Sequence, residues 1–304
     1  MSSLTGGNAV VGGVPTVSLD VPILAVLIVL FAAGSATNIA IYSRNRKRNH
    51  KFLMSLFLHG FCIVRVLTCS MRIAWATQPT NKSLVIAAQV FNNAGIIIIY
   101  ILNLIFAQRI LRARQPGLGW NPVLGVAFKA FYGLIIACLV MAITALVLMV
   151  TSTNPSTLSA CHDIQMTSVT FLFIMTTLPL FILAITYLMP EHRDKETFGH
   201  GPMSTKVLIV IISTCLSITI AGFKTGTAWD PRPLSNPAWF DEKPAYYVFG
   251  FTLEIIVLWL LILSRIDLRF HVPNKSKGPG DYSQSIELSS VVSEEIKRPC
   301  TQKE

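Results

Sequence analysis

Seven stretches of this chain are each apolar over about the 20 residues that a bilayer core requires. They fall at about 21–42, 53–76, 84–107, 129–150, 167–189, 206–223 and 245–265. A soluble helical domain would carry polar stripes along its helices, and most of these runs have none. Only 13% of the residues are charged, about half the usual share of a soluble domain. The fold class that follows is all-α: a seven-transmembrane helix bundle over residues 20–270, with a short tail at 1–19 and a polar, disordered tail at 271–304.

The charge of +10 is unevenly placed, which argues for membrane topology and against a nucleic-acid surface. Alternate connections sort the basic residues. One side holds Lys82, Lys224, Arg232 and Lys243. The other holds Arg44, Arg46, Lys47, Arg48 and Lys51, then Arg109, Arg112, Arg114 and Lys129, then Arg193, Lys195 and Lys206, and the lysines and arginines from Arg265 onward. The positive-inside rule then puts the N-terminus outside and the C-terminus in the cytoplasm. The expected setting is multi-pass in a membrane, the plasma membrane first among the candidates. The expected partners are the bilayer itself and anionic inner-leaflet lipids, drawn by the basic loop 44–51.

Two opposite charges lie inside the spans at similar depth. Glu254 is nine residues from the outer start of span seven and Arg65 about twelve from the inner start of span two, which puts both roughly 16–18 Å above the inner edge at 1.5 Å per residue. Either one alone would be costly there, so they are expected to face each other, with Asn92 or Asn93 completing a polar layer. This layer reads either as a ligand, ion or proton site or as a buried clamp. Arg72, nearer the outer face, is expected to snorkel or to meet the outer loop. The small residues Ala32, Ala33, Gly34, Ser35 and Ala36 suit a close helix contact.

The connection WDPRPLSNPAWFDEKPAYY is stiffened by prolines and carries interfacial aromatics. Asp230 is set to pair with Arg232, and Asp241 or Glu242 with Lys243. With Trp239, this loop reads as a lid over the bundle mouth or as a membrane-hugging loop. Cys161 and Cys69 both lie toward the outer side, where a bridge between them is open but not demanded by spacing. No convergent nucleophile–base or metal set is visible: H-E-x-x-H, G-x-S-x-G and a phosphate loop are all missing. No enzyme activity, cofactor or metal is expected, and span seven has no lysine for a retinal Schiff base.

Asp230, Pro231, Arg232, Pro233, Asn236, Pro237 and Trp239, then Glu254, then Arg265, Asp267, Arg269, Phe270, Pro273 and Tyr282 form a pattern across the last span. Together with the Asn92–Asn93 pair and the basic first inner loop, it resembles a family of filamentous-fungal seven-span membrane proteins of unknown function. Two neighbouring fungal groups share the layout: lipid-exporter-like proteins tied to drug and sterol-stress resistance, and receptor-like proteins of surface sensing. The resemblance implies the fold and is nearly silent on mechanism. The first reading is a receptor-like or sensor-like membrane protein. The alternative is a transporter or lipid translocator that uses the Arg65–Glu254 layer.

Overall fold

The computed structural model describes residues 9–48, 50–273 and 276–283. The chain is all-α, and seven helical segments are long and apolar enough to cross a membrane. In order they are α1 (Val17–Lys47), α2 (Leu53–Thr77), the pair α3 (Lys82–Ala94) and α4 (Ile97–Arg114), α6 (Pro122–Thr151), α7 (Pro155–Leu188), α8 (Met203–Trp229), and a composite seventh segment. The last runs through α9 (Lys243–Tyr247), one π turn (Val248–Thr252) and α10 (Leu253–Leu263). Short helices α5 (Pro116–Gly119) and α11 (Ile266–Arg269) sit at the same end of the bundle.

Local sequence sets these boundaries. Asn81, Asn121 and Asn154 each accept the N–H two residues on, at 3.1, 2.9 and 3.1 Å, and Pro122 and Pro155 follow at the first helical position. A proline costs nothing there because its missing N–H would have had no partner. Arg44, Arg46 and Lys47 occupy the last turn of α1 and complement the negative end of its dipole. Arg265, in the left-handed region at φ 52°, turns the chain out of α10. Within the spans, Thr68, Thr144 and Thr176 return their hydroxyls to the carbonyl four residues back, so these three donors are satisfied within their own helices.

α4 is the centre of the bundle. It is the most buried of the seven and packs against α2, α7 and α8. α1 lies along α2 and against α10. The small-residue run of α1 allows this: a Cβ added to Gly34 would meet Leu258 of α10 at 2.8 Å and Cys62 of α2 at 3.4 Å. Outward, Val26, Val29, Ile136 and Phe181 are more than half exposed, a surface for lipid rather than water.

The two ends differ. At one end Asn45 bonds Asp267 (3.2 Å), Arg109 bonds the Phe270 carbonyl, and Glu196 N–H reaches the Ala113 carbonyl (2.7 Å). The lysines and arginines of the first, third and fifth connections gather here. At the other end the N-terminal segment is tied down rather than loose. Ala9 and Gly12 donate to the carbonyls of Arg232 and Asp241 at 2.8 and 2.9 Å.

Four expectations change in detail. The third span is interrupted at Gly95 and Ile96. The stretch 151–166 is mostly the first turns of α7, because Pro155 starts a helix earlier than hydropathy suggests. Lys224 is not at a loop mouth but inside α8. In the tail set down as disordered from 271, residues 276–283 fold back, and Gly280 and Tyr282 donate their N–H groups to Glu196 at 2.8 Å. Tyr282 is almost fully buried. The tail from 284 lies outside the described residues.

Candidate functional site

Arg65 and Glu254 are both fully buried and pair directly, Nη2 donating to Oε1. Each partner is set by its backbone. α2 carries Arg65 on the face that meets α3 and the seventh segment. Five residues of π turn precede Glu254, and Thr252 Oγ1 donates to the Tyr247 carbonyl at 3.1 Å. Such wide turns are rare and concentrate where a side chain must be re-aimed. Phe251, within the turn, and Phe61 of α2 place their rings 5.7 and 5.8 Å from the guanidinium carbon, so the cation is shielded by π faces as well as paired.

The interruption in span three completes the layer. Past Ala94 the chain tightens, with Ile98 N–H to the Gly95 carbonyl at 3.2 Å and Ile99 N–H to the Ile96 carbonyl at 3.0 Å. The Asn92 carbonyl then accepts from two side chains: Arg65 Nη1 at 3.0 Å and Lys224 Nζ at 3.2 Å. A lone backbone carbonyl at the end of a half-helix is a favourable seat for cations. Gly95 is needed at the break, since an added Cβ would lie 3.1 Å from Arg65 Cζ and Nε. Glu254 Oε2, Arg65 Nε and Asn92 Oδ1 have no hydrogen-bond partner among the described residues.

A narrow pocket opens beside this layer, between α3, α4, α6, α7 and α8. Its wall is mostly aliphatic, with Asn93, Tyr100, Gln165, Ser168 and Lys224 as its polar residues. Lys224 has no carboxylate partner among the described residues.

The residues singled out in sequence thus divide. Arg65, Asn92 and Glu254 meet, although Asn92 contributes its carbonyl and not its amide. Asn93 faces the pocket. Asp230 and Arg232 pair with each other at 2.9 Å on the surface, away from the layer. Trp239 is 65% exposed and stands over Phe223 and Phe249. Lys243 does not pair with Asp241 or Glu242. It reaches Asp20 at 2.5 Å, and Tyr247 Oη donates to the same carboxylate at 2.6 Å. Arg72 donates to the Gly12 carbonyl at 2.8 Å and stacks on Tyr246, at the end of the connection before span seven, at 4.0 Å. Cys69 and Cys161 are both free thiols.

Sequence reasoning missed Lys224 and Asp20. Each sits in the last or first turns of a span, where hydropathy assigns charge to a loop. The available signal was spacing, since α8 runs on to Trp229 with no proline before Pro231.

Seven apolar helices packed around a buried ion pair define a multi-pass helical membrane protein. Residues 199–271 match the family described as "Protein of unknown function (DUF3112)". The match takes in α8, the outer loop and the seventh segment, so Lys224 and Glu254 fall within it while Arg65 and Asn92 do not. No curated protein and no solved structure matches the chain.

Proposed function

We propose that the chain is a receptor-like protein of the plasma membrane, without a catalytic step, whose pocket takes a ligand and whose Arg65–Glu254 contact responds. With the basic end taken as cytoplasmic, the pocket lies in the outer half of the bundle. One observation carries the reading. The Asn92 carbonyl is shared by Lys224, which lines the pocket, and Arg65, which holds Glu254. A ligand that draws Lys224 away leaves that carbonyl to Arg65 alone and changes how firmly span seven is held to span two. A coupled pair with two arrangements is what a sensor needs.

The aliphatic wall and single cation suit an apolar molecule with one negative group. Decanoate serves as the probe and decanol as its neutral control, added to the purified chain in phosphatidylcholine nanodiscs. Decanoate is expected to raise the thermal midpoint by several degrees. Decanol should not, and Lys224→Met should abolish the response while folding normally. An equal response from the variant, or none from the native chain, would sink the reading.

A transporter is the second reading. It is favoured by the broken third span beside a π turn in the seventh, since discontinuous helices line many translocation sites. Uptake of labelled decanoate into proteoliposomes that falls in Glu254→Gln, at matched folded protein, would select it.

A further inference from the structure

A second, roomier pocket lies at the basic end, between the start of α2, the last turns of α4 and the segment that follows α11. Its chemistry is opposite to that of the first. Lys51, Arg109 and Arg112 line it together with Gln108, His271 and Ser276, and among the described residues no carboxylate contributes to its wall. None of the three cations has an ion-pair partner among the described residues. The buried carboxylates of this end are already engaged. Glu196 accepts the Gly280 and Tyr282 N–H groups, and Asp267 accepts from Arg265 at 3.1 Å and Asn45 at 3.2 Å.

Both arginines are held before any ligand arrives. Arg109 Nη1 donates to the Phe270 carbonyl, and its guanidinium carbon stands 5.8 Å from the Phe52 ring centre. Arg112 Nε donates to the Gly119 carbonyl at 3.2 Å, and its guanidinium stacks 4.5 Å from the Trp120 ring centre. Gly119 can approach because it has no Cβ, which would collide with the Arg112 backbone. An arginine whose stem is already ordered loses little further freedom when it binds, and its planar fork matches phosphate oxygens. Three cations with no carboxylate partner among the described residues balance a dianion better than a single carboxylate.

We propose that this pocket is a binding site for a phosphate monoester. The group comes either from the headgroup of a phosphorylated inositol lipid or from a soluble phosphate. The proposal stands independently of the ligand pocket beside Lys224.

The test uses the full chain in phosphatidylcholine nanodiscs at fixed ionic strength. The probes are dioctanoyl phosphatidylinositol 4-phosphate and inorganic phosphate, read by calorimetry. Saturable binding is expected. It should weaken about tenfold in Lys51→Gln and in Arg112→Gln, the size of one charge-assisted contact. Arg46→Gln, in the last turn of α1 and outside the pocket, should change it less than about twofold. Binding of the lipid without binding of inorganic phosphate assigns the headgroup; comparable binding of both assigns the free anion. Lys51 is exposed, so its variant keeps the fold even if Arg112→Gln does not. No saturable binding by either probe, or equal losses in Arg46→Gln and Lys51→Gln, overturns the proposal. The second outcome would mean attraction to the basic surface as a whole.

Discussion

A guanidinium and a carboxylate removed from water each lose several kcal/mol of hydration, and only a well-made contact offsets this. For Arg65 and Glu254 the offset is mutual, supplemented by the Asn92 carbonyl and two aromatic faces. Each single change therefore strands a buried partner. Glu254→Met or Arg65→Met is expected to cost about 3–5 kcal/mol, whereas the double change Arg65→Met with Glu254→Met should recover most of it. Thermal midpoints of the four proteins give the coupling, and additive losses would mean that the two side chains do not interact. The pair was legible in sequence because both charges fall mid-span at equal depth. The role of Asn92 was not, since a backbone carbonyl has no sequence signature. It is exposed only by the break after Ala94, and the residues there, Gly95-Ile96-Ile97, read as an uninterrupted apolar helix.

Among the elements, the interrupted third span and the π turn of the seventh do the positioning. Gly95 separates the contribution of the break from that of helix propensity. Alanine normally favours a helix interior over glycine by about 1 kcal/mol. At Gly95, however, the new methyl would press on Arg65, whose guanidinium is pinned on two sides. Gly95→Ala is expected to destabilise by about 1–2 kcal/mol. Gly60→Ala in α2, where a Cβ meets nothing within 4 Å, should be neutral or stabilising. Equal melting midpoints for the two variants would remove the steric argument. Hydropathy indicated where helices exist but erred at their outer ends. α7 and α8 extend past the apolar window, since backbone hydrogen bonding continues into polar sequence until a proline or an open turn stops it. Lys224 was assigned to a loop for that reason, and the pocket was hidden with it.

On the scale of the whole molecule, the basic end closes through the tail. The His50 and His271 rings lie against each other, tilted by 37°, with centres 3.2 Å apart. Burial, with the nearby His50, Arg109 and His200 charges, pushes His271 down to about 4. Burial also lowers His50, against the pull of Asp267. Both rings fold as neutral bases, while the unfolded chain takes up protons below about 6.5. The stability they contribute is therefore present above that pH and lost as pH falls toward 4. Because His271 is only partly buried, solvent screening limits the effect to about 1–2 kcal/mol. The melting midpoint should drop between pH 7 and pH 4.5, and His271→Gln should flatten the slope. The sorting of lysines and arginines onto alternate connections made the bundle and its two unlike ends readable in advance. The folding back of residues 276–283 was not readable, because a short polar segment does not announce that Glu196 will take up its N–H groups. The orientation proposed for the bundle would turn one pocket outward and the other toward the cytoplasm. The most direct test puts an epitope at each terminus and probes intact and permeabilised cells. The N-terminal epitope should be reached in intact cells and the C-terminal one only after permeabilisation. Finding both on the same face would contradict a chain that crosses the membrane seven times.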